Sequence, residues 1–116
     1  MCILPKKSVI PCIVTAGVNT VAVRIPDFLL VDKLLGKFGY PLTAVSANIT
    51  GKEVSGDINK IVESFRRKIW KPDLILDAGI LPPSLPSAIL DLSTIKPKIL
   101  RVGPSKPEQL MKLLGI

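Results

Sequence analysis

Histidine is missing from the 116 residues, and cysteine occurs only as Cys2 and Cys12. Without histidine, a Ser-His-Asp or Cys-His nucleophile and any histidine-ligated metal site are excluded. Neither cysteine belongs to a Cys-x-x-Cys pair, so zinc is not expected either. Two cysteines without a disulfide framework favour a reducing compartment, and we therefore expect a cytoplasmic protein.

Aromatic residues and long apolar runs are also scarce. Five aromatic side chains are too few to expect a base-stacking platform on a sheet. No apolar run reaches the roughly 18 residues of a membrane helix, so no membrane partner is expected. Lys6 and Lys7 before residues 8–14 loosely imitate a signal peptide, but Pro11 interrupts that segment. A strand or loop is the better interpretation of residues 8–14.

Acidic residues are outnumbered: 9 Asp and Glu stand against 16 Lys and Arg, for a net charge of +7. Such a charge attracts nucleotides, RNA or acidic lipid headgroups without choosing among them. Apolar residues make up 47% of the chain, which excludes a disordered tail. At this length we expect residues 1–116 to form one domain or part of one.

The spacing of apolar residues alternates between a strand period and a helix period. It predicts strands at about 19–25, 42–46, 73–77, 87–92 and 98–102, and helices at about 28–38 and 58–69. Gly39 is a natural helix end and Asp57 a plausible N-cap. A last helix follows a predicted capping box between Ser105 and Glu108. The order β-α-β-α-β-β-β-α predicts an α+β (mixed α/β) fold, a mixed sheet with helices packed on it.

Two arginines stand where strands end. Arg24 shares a face with Thr20 on a strand otherwise suited to burial, so it needs an anionic partner: a carboxylate ligand, or an internal ion pair with Asp27. Arg101 closes an apolar strand before Gly103. It could hold a phosphate or stack on a base, or it is a surface arginine.

Two polar turns are further candidates. The small residues of 46–51 could let a phosphate approach the backbone at Asn48, although turn statistics favour an ordinary turn and the Walker A pattern is missing. Ser87 follows Pro86 and has no assigned base, so it is interpreted as a ligand hydrogen bond or a plain turn rather than a nucleophile. Asp77 and Asp91 are predicted to cap loops. Arg66-Arg67-Lys68 is interpreted as a solvated face or an RNA contact.

The order of these segments carries more information than any one of them. The runs VAVRIPD (21–27), GYPLTAVSANITG (39–51), PDLILDAG (72–79) and PSAILDLS through KILRVG (86–103) resemble the YrdC-like family of threonylcarbamoyl-AMP synthases. The resemblance covers nearly the whole chain. It implies a YrdC/RibB-like twisted mixed sheet with flanking helices, with the N-terminal part of the domain missing.

The resemblance also implies a function. Family members join ATP, L-threonine and bicarbonate into threonylcarbamoyl-AMP with release of pyrophosphate, for modification of adenosine 37 in tRNA, and some bind double-stranded RNA. By position, Arg24, Ala44 and Ser87 would contact threonine. ATP, with Mg²⁺, would be contacted by Thr20, Ser46, Asn48, Ser55 and Arg101; Val54 is an alternative to Ser55. No catalytic residue, protein-bound metal or tightly bound cofactor is implied.

This sequence departs from the family pattern in ways that matter for activity. The Lys/Arg signatures that hold triphosphate and bicarbonate belong to the earlier half and are absent here. Val45 and Ala88 replace usual threonines. We therefore expect weak ligand binding and no synthesis by these residues alone, and a homodimer or partner chain covering the exposed sheet. The alternative is a basic module that binds tRNA or double-stranded RNA without catalysis.

Overall fold

The computed structural model describes residues 1–115 and divides the chain into two units. The first unit comprises Met1–Thr43 and the chain from Leu85 onward, and the second is Ala44–Ser84. The first unit holds strands β1 (Cys2–Pro5), β2 (Thr20–Val23), β3 (Ile89–Asp91) and β4 (Lys98–Arg101), with helices α1 (Leu29–Phe38) and α3 (Pro107–Leu114). The second holds helix α2 (Ile58–Phe65).

The four strands form one mixed sheet in the order β2-β1-β3-β4. Strand β1 pairs antiparallel with β2 and parallel with β3, and β3 pairs antiparallel with β4. This confirms the predicted α+β class. The register sets Cys2 opposite both Val23 and Leu90, and Ile89 opposite Arg101. The same end of the sheet therefore holds the starts of β1 and β3 and the ends of β2 and β4.

Local sequence signals place the helix ends of both units. Gly39 ends α1 in the left-handed conformation (φ 76°), and its N–H donates to the Leu35 carbonyl at 2.8 Å. Asp57 begins α2 by accepting from the Asn59 N–H at 2.9 Å, as an N-cap does. Both predicted caps are confirmed, and α2 ends four residues earlier than the predicted boundary of 69.

Several predicted elements are wrong. Residues 42–46 and 73–77 are exposed and form no strand, because no described segment pairs with their backbone groups. Residues 8–14, interpreted as a strand or loop, form no strand: a turn there leads into a short 3₁₀ helix over Cys12–Thr15. The first strand of the sheet, β1, is not among the predicted elements. The capping box is also wrong: α3 begins after Lys106 without a side-chain cap, with Pro107 in its first turn.

Little of the apolar surface is covered. Among the described apolar residues only Leu90 and Leu110 are buried, each 8% exposed, while Leu29, Leu30 and Phe38 of α1 are exposed. The accessible surface is 10,195 Å². For comparison, two compact globules, each with half the mass of this chain, would together expose only about 7,400 Å². The excess is therefore surface that these residues do not cover among themselves.

Candidate functional site

Three predicted site residues lie at one end of the sheet. Ser87 precedes β3, Arg101 is the last residue of β4, and Arg24 directly follows β2. Arg24 and Arg101 are exposed, and Ser87 is half-buried. Strands β2 and β3 are separated only by β1, so their ends lie about 10 Å apart. The sheet thus places Arg24, Ser87 and Arg101 at one of its ends.

Ser87 and Arg101 are in direct contact. The Arg101 Nε–H donates to the Ser87 backbone carbonyl at 2.7 Å. A guanidinium has five N–H donors. Within residues 1–115 only this one of the five is bonded, which leaves four that could meet a ligand. The Met1 nitrogen donates to the Ala88 carbonyl oxygen at 3.1 Å at the same end. An anion approaching this end of the sheet therefore meets the charge and the N–H donors of the arginine side chains.

Thr20, the fourth predicted site residue of the first unit, does not lie at this end of the sheet. It pairs with Pro5 at the opposite end of β2, four residues from Arg24 and about 13 Å away along the strand. Its predicted nucleotide contact is not tested by this placement and stays a prediction.

The remaining predicted residues belong to the second unit, where they form a turn and a helix entry. The Asn48 Nδ2 donates to the Lys52 carbonyl at 2.7 Å, and the Asn48 N–H donates to the Ser46 carbonyl at 3.0 Å. Asn48 therefore holds the 46–52 turn together, while Ala44 and Ser46 are exposed. The Ser55 hydroxyl accepts from the Asp57 N–H at 3.1 Å, just before α2. The role of these four residues as ligand contacts stays a prediction.

The carboxylates behave as loop caps, as predicted. Asp77 accepts from the Gly79 N–H at 2.6 Å. Asp91, at the other end of β3 from Ser87, accepts from the Ser93 hydroxyl at 2.6 Å and from the Ser93 N–H at 2.9 Å. These bonds, with the charge of Lys98, hold the pKa of Asp91 below its usual range. Asp91 is therefore ionised at neutral pH and tied into its own turn.

The depression nearest to Arg24 does not match an anion site. It has a volume of about 390 Å³ and is lined by Ile25, Pro26, Asp27, Phe28, Leu29 and Asp32. Its two carboxylates would repel a phosphate or a carboxylate. The cationic sheet end remains the better candidate.

Sequence reasoning missed one residue at this end. Gly103 (φ 63°) lies against Pro86, Ser87 and Ala88 so closely that a Cβ there would overlap their backbone atoms. The sequence shows a glycine after the strand, which is a turn signal, but not what the glycine approaches.

Comparison with known proteins decides the family. The family model described as "Telomere recombination", that of the Sua5, YciO and YrdC proteins, matches residues 1–103. The chain belongs to the Sua5/YciO/YrdC family. Threonylcarbamoyl-AMP synthase of Pyrococcus abyssi is 35% identical to this YrdC-like chain over 113 residues, which are 97% of this chain and 32% of that relative.

Other relatives of the YrdC-like chain bear the same name. Threonylcarbamoyl-AMP synthase of Bacillus subtilis is 32% identical over 88% of this chain and 29% of its own length. That of Wigglesworthia glossinidia brevipalpis is 34% identical over 87% of this chain and 49% of its own length. The chain thus spans about a third to a half of these relatives, and the N-terminal part of the domain is not among its residues.

Solved structures agree with the YrdC-like fold. A variant of P. abyssi Sua5 superposes with a TM-score of 0.83 at 35% identity, covering 99% of this chain and 34% of that one. P. abyssi Sua5 complexed with L-threonine gives a TM-score of 0.82 at 35% identity, covering 98% of this chain and 33% of that one.

Proposed function

We propose that this chain supplies a threonine- and nucleotide-binding part of a threonylcarbamoyl-AMP synthase site. The observation that carries the proposal is the Ser87–Arg101 pair, which lies at the sheet end where Arg24 follows β2. The L-threonine complex of a structurally similar relative supports threonine as the ligand. Arg24 would bind the threonine carboxylate, because a guanidinium can donate two parallel hydrogen bonds to it. Ser87 would border the amino acid, and Arg101 would donate to a phosphate.

The proposed reaction needs positioning and charge more than covalent chemistry. The threonine nitrogen attacks bicarbonate to give a carbamate with loss of water. A carbamate oxygen then attacks the α-phosphorus of ATP, and pyrophosphate leaves. Holding the reactants together and stabilising the phosphate charge would supply most of the acceleration. In residues 1–115 no group of three or more acidic or cysteine side chains could hold a metal, so magnesium would arrive with ATP.

The chain alone is proposed to bind weakly and not to react. The positioning residues Arg24, Ser87 and Arg101 are present, whereas the Lys/Arg signatures expected to hold the triphosphate are not. We propose that the N-terminal part of the family's domain covers the exposed apolar surface and supplies those cations. Cys2 and Cys12 are both free, which suits the cytoplasmic setting that we propose.

Titration calorimetry with L-threonine and with MgATP tests this proposal. We expect dissociation constants in the millimolar range, which correspond to about −4 kcal/mol of binding free energy, and no pyrophosphate release. D-Threonine is the stereochemical control, and it should bind at least tenfold more weakly than L-threonine if the site is shaped for the amino acid. Micromolar binding together with pyrophosphate release by the lone chain would contradict the proposed dependence on the N-terminal part.

A second candidate function is RNA binding. Arg66, Arg67 and Lys68 follow α2 as an exposed basic run, and of these Arg66 pairs with Glu63 at 3.3 Å at the surface. An exposed pair of this kind contributes little free energy, so the Arg66 guanidinium remains available to a phosphate.

None of the helices in residues 1–115 is long and apolar enough to span a bilayer.

A gel-shift titration with tRNA at several salt concentrations tests the RNA candidate. If the run binds phosphates, replacing Arg66, Arg67 and Lys68 by alanine should lower the slope of log K against log salt by about 2 to 3. The matched control replaces Lys33, Lys37 and Lys112 by alanine, which removes the same charge from α1 and α3. Equal slopes for both variants, or no binding, would reject this function.

A further inference from the structure

Gly103 is constrained in two ways at once. Its φ of 63° lies in the left-handed region that side chains disfavour. A Cβ built on it would stand 2.6 Å from the Pro86 carbonyl oxygen and 2.7 Å from the Ser87 carbonyl carbon. Both are backbone atoms, which cannot rotate away as the end of a flexible side chain can. Gly39 shares the positive φ (76°) but has open space where its Cβ would be.

Arg101 holds the same segment by a hydrogen bond. Its Nε–H donates to the Ser87 carbonyl at 2.7 Å, two residues before Gly103. The ladder between β3 and β4 is irregular at this point, with a register shift between Ile89 and Leu90. Regular pairing therefore does not by itself fix the 86–88 segment against the end of β4. The close approach at Gly103 and the Arg101 hydrogen bond do so instead.

We propose that Gly103 is a positioning residue for ligand binding at this sheet end. Because position 103 lacks a Cβ, the 86–88 segment lies close enough for Arg101 to bond the Ser87 carbonyl. That bond fixes the plane of the guanidinium, whose four other N–H groups then face an anionic ligand in a defined orientation. The inference rests on the proposed function, namely that this end binds threonine and nucleotide. Ser87 and Arg101 therefore act together. Displacing the 86–88 segment should weaken the contact of Ser87 with threonine and the contact of Arg101 with the nucleotide at the same time.

The variants Gly103→Ala and Gly39→Ala separate this role from ordinary backbone strain. Both place alanine at a positive φ in the same unit, but only Gly103→Ala forces the new methyl group into the 86–88 backbone. The first measurement is the Arg101 Nε–H NMR signal and its exchange with water. We expect a protected signal in the unmodified chain and in Gly39→Ala, and loss of protection in Gly103→Ala. The second is titration with L-threonine, for which we expect at least a tenfold weaker affinity in Gly103→Ala alone.

Arg101→Lys is a second variant that keeps Gly103 and serves if Gly103→Ala does not fold. It retains the charge but loses the Nε–H donor, so the Ser87 and Ala88 amide signals should shift while thermal unfolding changes little. The inference is overturned if Gly103→Ala keeps the protected Arg101 signal and matches Gly39→Ala in affinity, or if Arg101→Lys leaves the Ser87 signals unchanged. If the unmodified chain shows the protected signal but binds no threonine, the proposed function fails while the Arg101 signals still decide the positioning role.

Discussion

Adding the N-terminal half of the domain is expected to stabilise this chain strongly. A partner that binds only the folded state raises the free energy of unfolding by about 2.7 kcal/mol at a hundredfold excess over its Kd. The apolar surface is available for it, because only Leu90 and Leu110 are buried among the described apolar residues. An interface that completes a core is large and apolar, and interfaces of that kind bury about 2,000–5,000 Å². Those areas count both partners, so the surface excess of about 2,800 Å² on this chain alone is enough for its side of such an interface.

The N-terminal part of the same domain from the P. abyssi relative is a suitable partner, because the matched part of that protein shares the fold at 35% identity. Urea unfolding of the mixture should shift to higher denaturant, binding of a hydrophobic dye should fall, and pyrophosphate release should begin. The control is a chain with the amino-acid composition of that N-terminal part in scrambled order. A lack of association at tens of micromolar would contradict the account. A second contradicting result would be a stable dimer of the lone chain in sedimentation that does not bind the added N-terminal part, since a second copy would then cover the surface.

Arg24→Ala is expected to have the largest effect of any single substitution on threonine binding. Hydrogen bonds to charged groups contribute about 1.5–3 kcal/mol, so losing the guanidinium should weaken L-threonine by about 10- to 100-fold. Arg24→Lys should recover only part of this loss, because an ammonium cannot donate two parallel bonds. Titration of the chain with L-threonine measures the effect.

Arg67→Ala is the matched control for charge, because it removes one exposed guanidinium from the second unit. It should leave the affinity for threonine within about twofold. If Arg24→Ala also binds threonine normally, the carboxylate is held elsewhere. If both variants lose affinity equally, net charge alone attracts the ligand.

Elements that depend on nearby residues could be predicted from the sequence. Helices α1 and α2 follow from their apolar spacing together with Gly39 and Asp57, whose caps are bonds to residues two to four positions away. Strands β2, β3 and β4 follow from short apolar runs bounded by turn residues. Ser105 has the right spacing for a capping box with Glu108, but α3 begins one residue later, with Lys106 at the N-cap and Pro107 in the first turn, so Ser105 does not occupy the capping position.

Elements that depend on distant partners could not be predicted. Residues 42–46 and 73–77 have strand-like sequences but lack neighbouring strands among the described residues. Strand β1, by contrast, has only four residues and forms because it pairs on both sides. The site shows the same limit: Ser87 and Arg101 could be singled out individually, but their 2.7 Å hydrogen bond depends on the β3–β4 register and on Gly103. Family resemblance supplied the ligand classes that the residues alone left open.

An isotope-labelled NMR titration of the chain with L-threonine up to tens of millimolar tests the central claim most directly. We expect saturable shifts at Arg24, at Ser87 and Ala88, and at the Arg101 side chain, with the signals around Asp91 at the opposite end of the sheet unmoved. Shifts that spare Arg24 and Arg101, or spectra unchanged throughout the titration, would contradict a threonine site at this end of the sheet.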